Sequence, residues 1–287
     1  MKVTALGAAA ALTPGAAMAE AAPENPFPKA AQWGKIPGEG TDEEKIRLTR
    51  DAGFDGIEAY PMDDLEAARA RGELARSLNC PIHSITYGGW DAPMSSPDPA
   101  AIKQGHAGIE NALRTAKAVG AETMLLVPAV VTESVSYAQA WENSQKNIRP
   151  MIPLAEELGI MIAIENVWNK FLLSPLEFAK YIDEFESPWV QAYFDVGNVV
   201  AFGYPEDWIR TLGKRIHKVQ WKDFKRKTNE WCKLPYEGDV NWPVVRQALD
   251  EIGYRSWGTE EFPKGDEAQF RELARRMDLL GKGAASA

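Results

Sequence analysis

The chain has few of the residues that mark several common classes of protein. Lysine and arginine (32) are outnumbered by aspartate and glutamate (41), and no basic cluster forms a stripe, which argues against nucleic-acid binding. There are only two cysteines, Cys80 and Cys232, so at most one disulfide can form, and two free buried thiols fit the sequence equally well. With 45% hydrophobic residues and ordinary glycine and proline counts, the composition is that of a globular protein.

The sequence also has no apolar stretch that is long enough to span a membrane stably. The apolar stretch Val3–Met18 is short and alanine-rich, and Ala17-Met18-Ala19 fits a signal-peptidase site. We therefore predict a signal peptide over residues 1–19, a linker over 20–29, and a periplasmic or secreted protein. The stretch resembles the end of a twin-arginine signal without its two arginines, as a truncated start would leave it. The alternative is a helical leader on a cytoplasmic protein.

From residue 30 onwards, apolar runs typical of strands alternate with segments typical of helices. The predicted strands cover 30–36, 54–60, 81–86, 123–128, 160–164, 190–195, 216–221 and 257–262. The predicted helices cover 42–52, 63–78, 100–119, 136–158, 175–185, 205–212, 243–252 and 266–280. Eight such units in roughly 250 residues predict an α/β fold, a single-domain (β/α)₈ TIM barrel over 30–282. An open doubly wound sheet is the alternative, but QWGKIPGEG does not have its G-x-G-x-x-G spacing.

Polar side chains stand at the carboxyl ends of the predicted strands, which meet on one face of a barrel. They are Glu58, His83, Glu165, Asp195, Gln220 and Glu261. Alternation along a strand places Glu261 inside the barrel with Glu260 on the other face, and turns His217 away from the face that carries Gln220. Three carboxylates and an amide oxygen favour Mn²⁺ or Mg²⁺, with Co²⁺ or Zn²⁺ as alternatives. The other interpretation is that each carboxylate caps a helix or pairs with a lysine.

The motifs GFDGIEAY, IENVWN, YFDVGN, VQWKDFK and GYRSWGTEEFPKGD follow one another in this order. Together they resemble the xylose isomerase-like TIM-barrel family, the sugar-phosphate isomerase/epimerase group that includes ketose 3-epimerases and hydroxypyruvate isomerases. The similarity runs from about residue 32 to 280. It implies that Glu165, Asp195, Gln220 and Glu261 hold a divalent metal, and that Glu165 and Glu261 are also the catalytic acid/base pair.

The resemblance further implies contacts with the substrate, including possible anion contacts from two lysines. The residues concerned are Glu58, His83, Trp168, Asn169, Lys170 and Lys222. Two positions depart from the family pattern. Gln220 stands where the family usually has histidine, and Asn198 stands where many members have histidine. A glutamine oxygen is a neutral and weaker donor than imidazole, so we expect lower metal affinity or an altered role for the metal.

The function that the resemblance implies is a metal-dependent isomerase or epimerase of a small ketose or keto-sugar. One glutamate would remove a proton beside the metal-polarised carbonyl, and the other would return a proton to the enediolate. The first alternative is a 3-keto-glycoside lyase or hydrolase, in which the same proton abstraction leads to β-elimination. The second is a sugar-binding barrel that has lost catalysis. The expected partner is a small carbohydrate, and the chain could also form a homo-oligomer.

Overall fold

In the computed structural model, residues 27–287 are described, so the predicted signal peptide and residues 20–26 of the predicted linker lie outside them. Eight parallel strands form a closed barrel. They are β1 (Lys29–Gln32), β2 (Gly56–Ala59), β3 (Ile82–Thr86), β4 (Thr123–Leu126), β5 (Met161–Glu165), β6 (Val190–Asp195), β7 (Ile216–Trp221) and, after the hairpin of β8 (Phe224–Lys225) and β9 (Glu230–Trp231), β10 (Gly258–Glu260). Because β10 pairs in parallel with β1, the predicted TIM barrel is confirmed.

Helices on the outside of the barrel connect the strands. They are α1 (Asp42–Ala52), α2 (Leu65–Ser77), α3 (Pro99–Val119), α4 (Tyr137–Ile148), α5 (Ile152–Leu158), α6 (Pro175–Asp183), α7 (Pro205–Leu212), α8 (Trp242–Glu251) and α9 (Glu267–Gly281). The predicted helix over 136–158 is two helices, since Arg149–Met151 forms a turn of 3₁₀ helix. Pro150 lies in this turn, and proline has no N–H to donate within a continuous α-helix.

The helix boundaries follow local capping chemistry, which is why the sequence predicts many of them closely. The side chain of Thr41 accepts a hydrogen bond from the Glu44 backbone, and the Glu44 side chain returns one to the Thr41 backbone, which forms a capping box at the start of α1. Gly53 ends the same helix with a φ of 103°, in the left-handed region that glycine tolerates. None of the helices within residues 27–287 is long and apolar enough to cross a membrane.

The strands are buried on both faces, and the two faces serve different purposes. Ile162 and Ile164 of β5 pack into the main core between the strands and the helices. Ala163, on the other face of the strand, packs with Leu125 and Tyr193 in a small separate cluster inside the barrel. Successive side chains of a strand alternate between these faces, so the strand ends aim their last inward side chains at the mouth of the barrel.

Alternation fails where the register of two neighbouring strands shifts. Ile216 of β7 pairs with Ala192 and Lys218 pairs with the next residue of β6, so His217 is an extra residue in the ladder. The Nε2 atom of His217 lies 3.0 Å from Oγ1 of Thr123, on the non-neighbouring strand β4. The prediction that His217 is turned away from the barrel interior is therefore wrong, because a bulge reverses the alternation on which it rested.

Candidate active site

Three carboxylates meet at the carboxyl ends of the barrel strands. Glu165 ends β5, Asp195 ends β6, and Glu261 follows β10, and one oxygen atom of each lies within 4.8 Å of the other two. Glu260 points elsewhere, as strand alternation predicts, because its carboxylate accepts hydrogen bonds from the backbone N–H groups of Gln32 (3.1 Å) and the residue at 262 (3.0 Å). The structure thus brings together the carboxylates that the sequence singled out.

Asp195 is held in place by a set of hydrogen bonds between the ends of β5 and β6. Asn166 accepts a hydrogen bond from the backbone N–H of Asp195 and donates one to its carbonyl, each at 2.9 Å. The backbone N–H of Asn198 donates to Oδ1 of Asp195 at 2.6 Å, and the Asn198 side chain donates to the carbonyl of Asn166 at 2.9 Å. Oδ2 of Asp195 is buried and has no hydrogen-bond partner within residues 27–287.

Gln220 completes this group of oxygen donors. Its Nε2 atom donates to Oε1 of Glu58 at 3.1 Å, and Gln32 donates to the same oxygen at 3.2 Å. The hydroxyl group of Tyr193 donates to the other Glu58 oxygen at 2.5 Å. Since a carboxylate accepts hydrogen bonds, the amide nitrogen of Gln220 must face Glu58. Its Oε1 atom is buried and, among the described residues, has no partner.

Burial and mutual repulsion act on the ionisation of these carboxylates. Burial raises the pKa of Glu165 well above its ordinary value, and the charges of Glu261 and Asp195 raise it further. Burial likewise raises the pKa of Asp195, although the ammonium group of Lys222 partly opposes the shift. Lys222 donates to Oε2 of Glu261 at 2.9 Å, and its Nζ lies 4.2 Å from the ring centroid of Trp231. A further positive charge among these carboxylates would lower the pKa values of Glu165 and Asp195 and so favour their charged forms.

These residues fit a divalent metal ion. A buried polar atom without a partner costs about 1–3 kcal/mol, and Asp195 Oδ2 and Gln220 Oε1 are two such atoms at one site. Both are oxygens, as are the carboxylate donors of Glu165 and Glu261. An all-oxygen set of this kind suits hard cations such as Mn²⁺ or Mg²⁺.

A cavity with a volume of about 290 Å³, called here the central pocket, opens onto the carboxylates. Its lining includes Glu165, Trp168, Gln220, Lys222, Trp231 and Glu261. The volume lies near the lower end of the range of about 300–1,000 Å³ for small-molecule sites. The central pocket therefore suits a compact ligand that reaches the carboxylates.

Two of the residues predicted to bind substrate, Trp168 and Lys222, line the central pocket. The indole N–H of Trp168 donates to the carbonyl of Asn198 at 2.8 Å, and its ring packs against that of Trp231 with 4.8 Å between the centroids. These contacts fix the orientation of a ring that is still 46% exposed. An exposed but fixed aromatic ring at the pocket mouth is a suitable wall for a sugar.

The next two predicted residues, Asn169 and Lys170, do not line the central pocket as the structure describes it. Asn169 is buried, and its side chain donates to the carbonyl of Ala129 at 2.7 Å and accepts from the backbone N–H of Phe171 at 3.1 Å. Lys170 is exposed and has a φ of 61°. Asn169 therefore holds the loop that follows β5 against the loop that follows β4.

Glu58 and His83 lie beneath the central pocket rather than in the lining that the structure describes. The carboxylate of Glu58 accepts the hydrogen bond from the Gln220 amide. Nε2 of His83 is 3.0 Å from Oγ1 of Thr259, and its ring stacks on Trp257 with 4.5 Å between the centroids. Burial, and then the charge of Lys218, lowers the pKa of His83 well below its ordinary value. His83 is therefore a neutral side chain inside the barrel.

Sequence reasoning missed Gln32, Trp231 and Trp90, which all line the central pocket. Gln32 is a polar residue at the end of β1, as Glu165 is at the end of β5, but the sequence predicts a first strand that continues to residue 36. Trp33–Lys35 forms a 3₁₀ turn instead. Trp90 lies in the connection after β3, and Trp231 lies in the two-residue strand β9, so neither belongs to a periodic pattern that indicates which way the side chain points.

The fold and the carboxylate cluster define a TIM-barrel protein with a candidate metal centre at the carboxyl ends of its strands. Residues 46–280 match the sequence model of the family described as xylose isomerase-like TIM barrel, and the chain belongs to that family, as predicted.

Named relatives and solved structures agree with this assignment. The chain is 27% identical over 239 residues to the 2-oxo-tetronate isomerase of Haemophilus influenzae, with 78% of this chain and 88% of that protein covered. It is 24% identical over 264 residues to the L-ribulose-5-phosphate 3-epimerase of Salmonella paratyphi A, with 83% and 90% covered. The structure of D-psicose 3-epimerase in the presence of D-fructose has a TM-score of 0.76 at 18% identity, covering 91% of this chain and 100% of that chain. The two relatives are an isomerase and an epimerase, the kind of enzyme that the sequence predicts.

Proposed function

We propose that this protein is a divalent-metal-dependent isomerase or epimerase that acts on a small ketose or keto-sugar. The observation that carries the proposal is the convergence of Glu165, Asp195 and Glu261 within 4.8 Å, beside the buried, unpartnered amide oxygen of Gln220. The relatives named above, which isomerise or epimerise sugars and sugar acids by their names, support the same reaction class.

A divalent cation held by these four residues would polarise the substrate carbonyl and so make the neighbouring C–H bond more acidic. Side chains of the protein carry out the proton transfers. One of Glu165 and Glu261 removes the proton, and the other returns one at the opposite face or at the adjacent carbon. Such positioned proton transfer contributes about 10²–10⁴-fold to the rate. Lys222 donates a hydrogen bond to Glu261 at 2.9 Å and so holds that carboxylate in place.

The test is proton exchange in D₂O, followed by NMR, with Mn²⁺-loaded protein and a panel of ketoses and 3-keto-glycosides. Glu165→Gln and Glu261→Gln should each slow exchange at least about 100-fold, because each removes a proton-transfer group. Glu156→Gln, an exposed carboxylate of α5, is the matched control and should exchange at the parent rate.

The products separate the candidate reactions. Exchange without loss of a leaving group supports isomerisation or epimerisation, whereas release of an aglycone from a 3-keto-glycoside supports the lyase. If the protein binds these sugars but exchanges no proton with any of them, the isomerase/epimerase proposal and the lyase alternative are both wrong. The protein would then be a sugar-binding barrel without catalytic activity.

We also propose that the protein is exported, on the strength of the predicted signal peptide at residues 1–19. The experiment is amino-terminal sequencing of the protein recovered from cell fractions. A periplasmic product that begins near Glu20 supports export. A cytoplasmic product that begins at Met1 overturns it and leaves the enzymatic proposal intact.

A further inference from the structure

A second and larger cavity opens beside the central pocket. We call it the side cleft, and its walls include Tyr60, Asp63, Trp90, Asp91, Gln104 and Asn111. Its volume is about 690 Å³, against about 290 Å³ for the central pocket. The two cavities share Thr86, Gly88 and Trp90 in their linings, so they lie side by side.

The segment that the two cavities share is held by hydrogen bonds to the barrel. The backbone N–H of Tyr87 donates to the carbonyl of Leu125 at 3.1 Å, and the backbone N–H of Val127 donates to the carbonyl of Gly88 at 3.2 Å. Gly88, in this shared segment, has a φ of 48°, in the left-handed region that glycine tolerates. On α3, Gly108 makes room for the Tyr87 ring, because an added Cβ would lie 2.1 Å from its hydroxyl oxygen. Backbone hydrogen bonds and close packing therefore determine the shape of this part of the side cleft.

The walls of the side cleft have the chemistry of a site for an uncharged sugar. Trp90 and Tyr60 are 52% and 40% exposed, and large exposed rings of this kind stack against the C–H face of a pyranose. Asp63 and Asp91 can accept hydrogen bonds from hydroxyl groups, and the amide of Gln104 can donate and accept. This mixture of rings and a few polar groups is typical of small-molecule sites.

The charge of the side cleft argues against a phosphate group. Among residues 27–287, the lining includes two aspartates and neither a lysine nor an arginine. Phosphate sites in proteins depend on arginine, lysine or the amino end of a helix. Two carboxylates would repel a phosphate instead.

We propose that the side cleft binds an uncharged glycosyl unit attached to the reacting sugar, so that the preferred substrate is a glycosylated keto-sugar rather than a free monosaccharide or a sugar phosphate. This assignment rests on the proposed function, since it takes the reacting sugar to lie in the central pocket. It adds the substrate class, which the carboxylate cluster alone does not determine.

Binding of four ketose probes to the Mn²⁺-loaded protein, measured by calorimetry, tests the assignment. The probes are fructose, fructose 6-phosphate, isomaltulose (fructose with a glucosyl group on O6) and maltulose (fructose with a glucosyl group on O4). We expect at least one of the two disaccharides to bind about tenfold or more tightly than fructose, a difference of about 1.4 kcal/mol. Fructose 6-phosphate should gain no such advantage, although its phosphate occupies the same oxygen as the glucosyl group of isomaltulose.

Ala107→Trp, which fills the side cleft from α3, should bring the affinity ratio of disaccharide to fructose close to one. Lys117→Trp, an exposed position farther along the same helix, is the matched control and should keep the parent ratio. Equal binding of all four probes, tighter binding of the phosphate, or an unchanged ratio in Ala107→Trp would each overturn the assignment. So would failure of every probe to bind. In all these cases proton exchange in D₂O decides separately on the proposed function.

Discussion

The side-chain amide of Gln220 donates a hydrogen bond to Glu58, with 3.1 Å between Nε2 and Oε1. This contact joins a residue at the mouth of the barrel to a buried carboxylate beneath it. It decides which end of the amide faces the acidic cluster, because only the nitrogen can donate to a carboxylate. The oxygen of Gln220 is thereby turned away from Glu58 and is left without a partner among the described residues, on the strand beside Asp195, where it can act as a metal ligand.

We expect Glu58→Leu to weaken Mn²⁺ binding about 10–100-fold, the usual effect of losing a group that orients a metal ligand. Without the carboxylate, the Gln220 amide is free to rotate and presents its oxygen only part of the time. Calorimetric titration with Mn²⁺ measures the change, and circular dichroism checks that the variant is folded.

Two further variants show whether Glu58 acts through Gln220. Tyr193→Phe removes a different hydrogen bond to Glu58 and should change Mn²⁺ affinity much less. In a Gln220→Ala background the Glu58→Leu change should have almost no effect, since the residue that it orients is gone. Equal losses in both backgrounds would mean that Glu58 acts on the site in some other way.

Gln220→His should tighten metal binding, and more for Zn²⁺ than for Mg²⁺. Imidazole is a stronger donor than a neutral amide and suits zinc, whereas the amide oxygen suits hard cations. Glu58 can accept the second ring N–H and so hold the imidazole in place. We expect about a tenfold gain for Zn²⁺ by competition titration with a chelator. Gln220→Ala is the reference: if it binds metal as tightly as the parent, Gln220 is not a ligand.

The sequence predicts the barrel and its carboxylate cluster because both depend on local patterns. Capping residues such as Thr41 set helix ends within a few residues, and a run like that of β5 shows where a buried strand stops. Glu165, Asp195 and Glu261 stand at such stops, so topology alone brings them together. This part of the site follows from the order of elements without any knowledge of side-chain packing.

Other features depend on contacts between distant parts of the chain. The inward turn of His217 results from a bulge between β6 and β7, which needs the register of both strands. Asn169 belongs to the motif IENVWN, and the family resemblance implies that it contacts the substrate, but its amide is bonded to the carbonyl of Ala129, in the loop after β4. The side cleft depends on Trp90, which lies in a connection without periodicity. Such contacts become visible only when the fold is known.

Gly72→Ala should lower the free energy of unfolding by about 1–3 kcal/mol, because α2 and α3 pack closely at this position. A Cβ atom on Gly72 would lie 2.2 Å from the carbonyl oxygen of Val119, and backbone atoms cannot move aside as a flexible side chain can. Urea denaturation measures the change. Glu73→Ala, on the exposed side of the same helix, should stay within about 0.5 kcal/mol of the parent. Similar stabilities for the two variants would show that the helices can separate without penalty.

We expect the protein to lose stability between pH 6.5 and pH 4, and His217 to contribute to the loss. Burial lowers the pKa of His217 to about 4, the charge of Lys218 acts in the same direction, and Glu122 partly opposes the shift. His217 is therefore neutral in the folded protein, where its Nε2 faces Oγ1 of Thr123 at 3.0 Å. In the unfolded chain the same side chain takes up a proton near pH 6.5.

As the pH falls from 6.5 towards 4, the unfolded chain binds a proton that the folded protein does not, so this residue makes the protein less stable by up to about 3 kcal/mol. His217→Gln removes the titrating group and can still donate to Thr123. Urea denaturation at pH 7.5 and pH 4.5 should therefore show a smaller loss of stability for His217→Gln than for the parent. Equal losses for the two proteins would mean that His217 becomes protonated in the folded barrel, with its charge stabilised by Glu122.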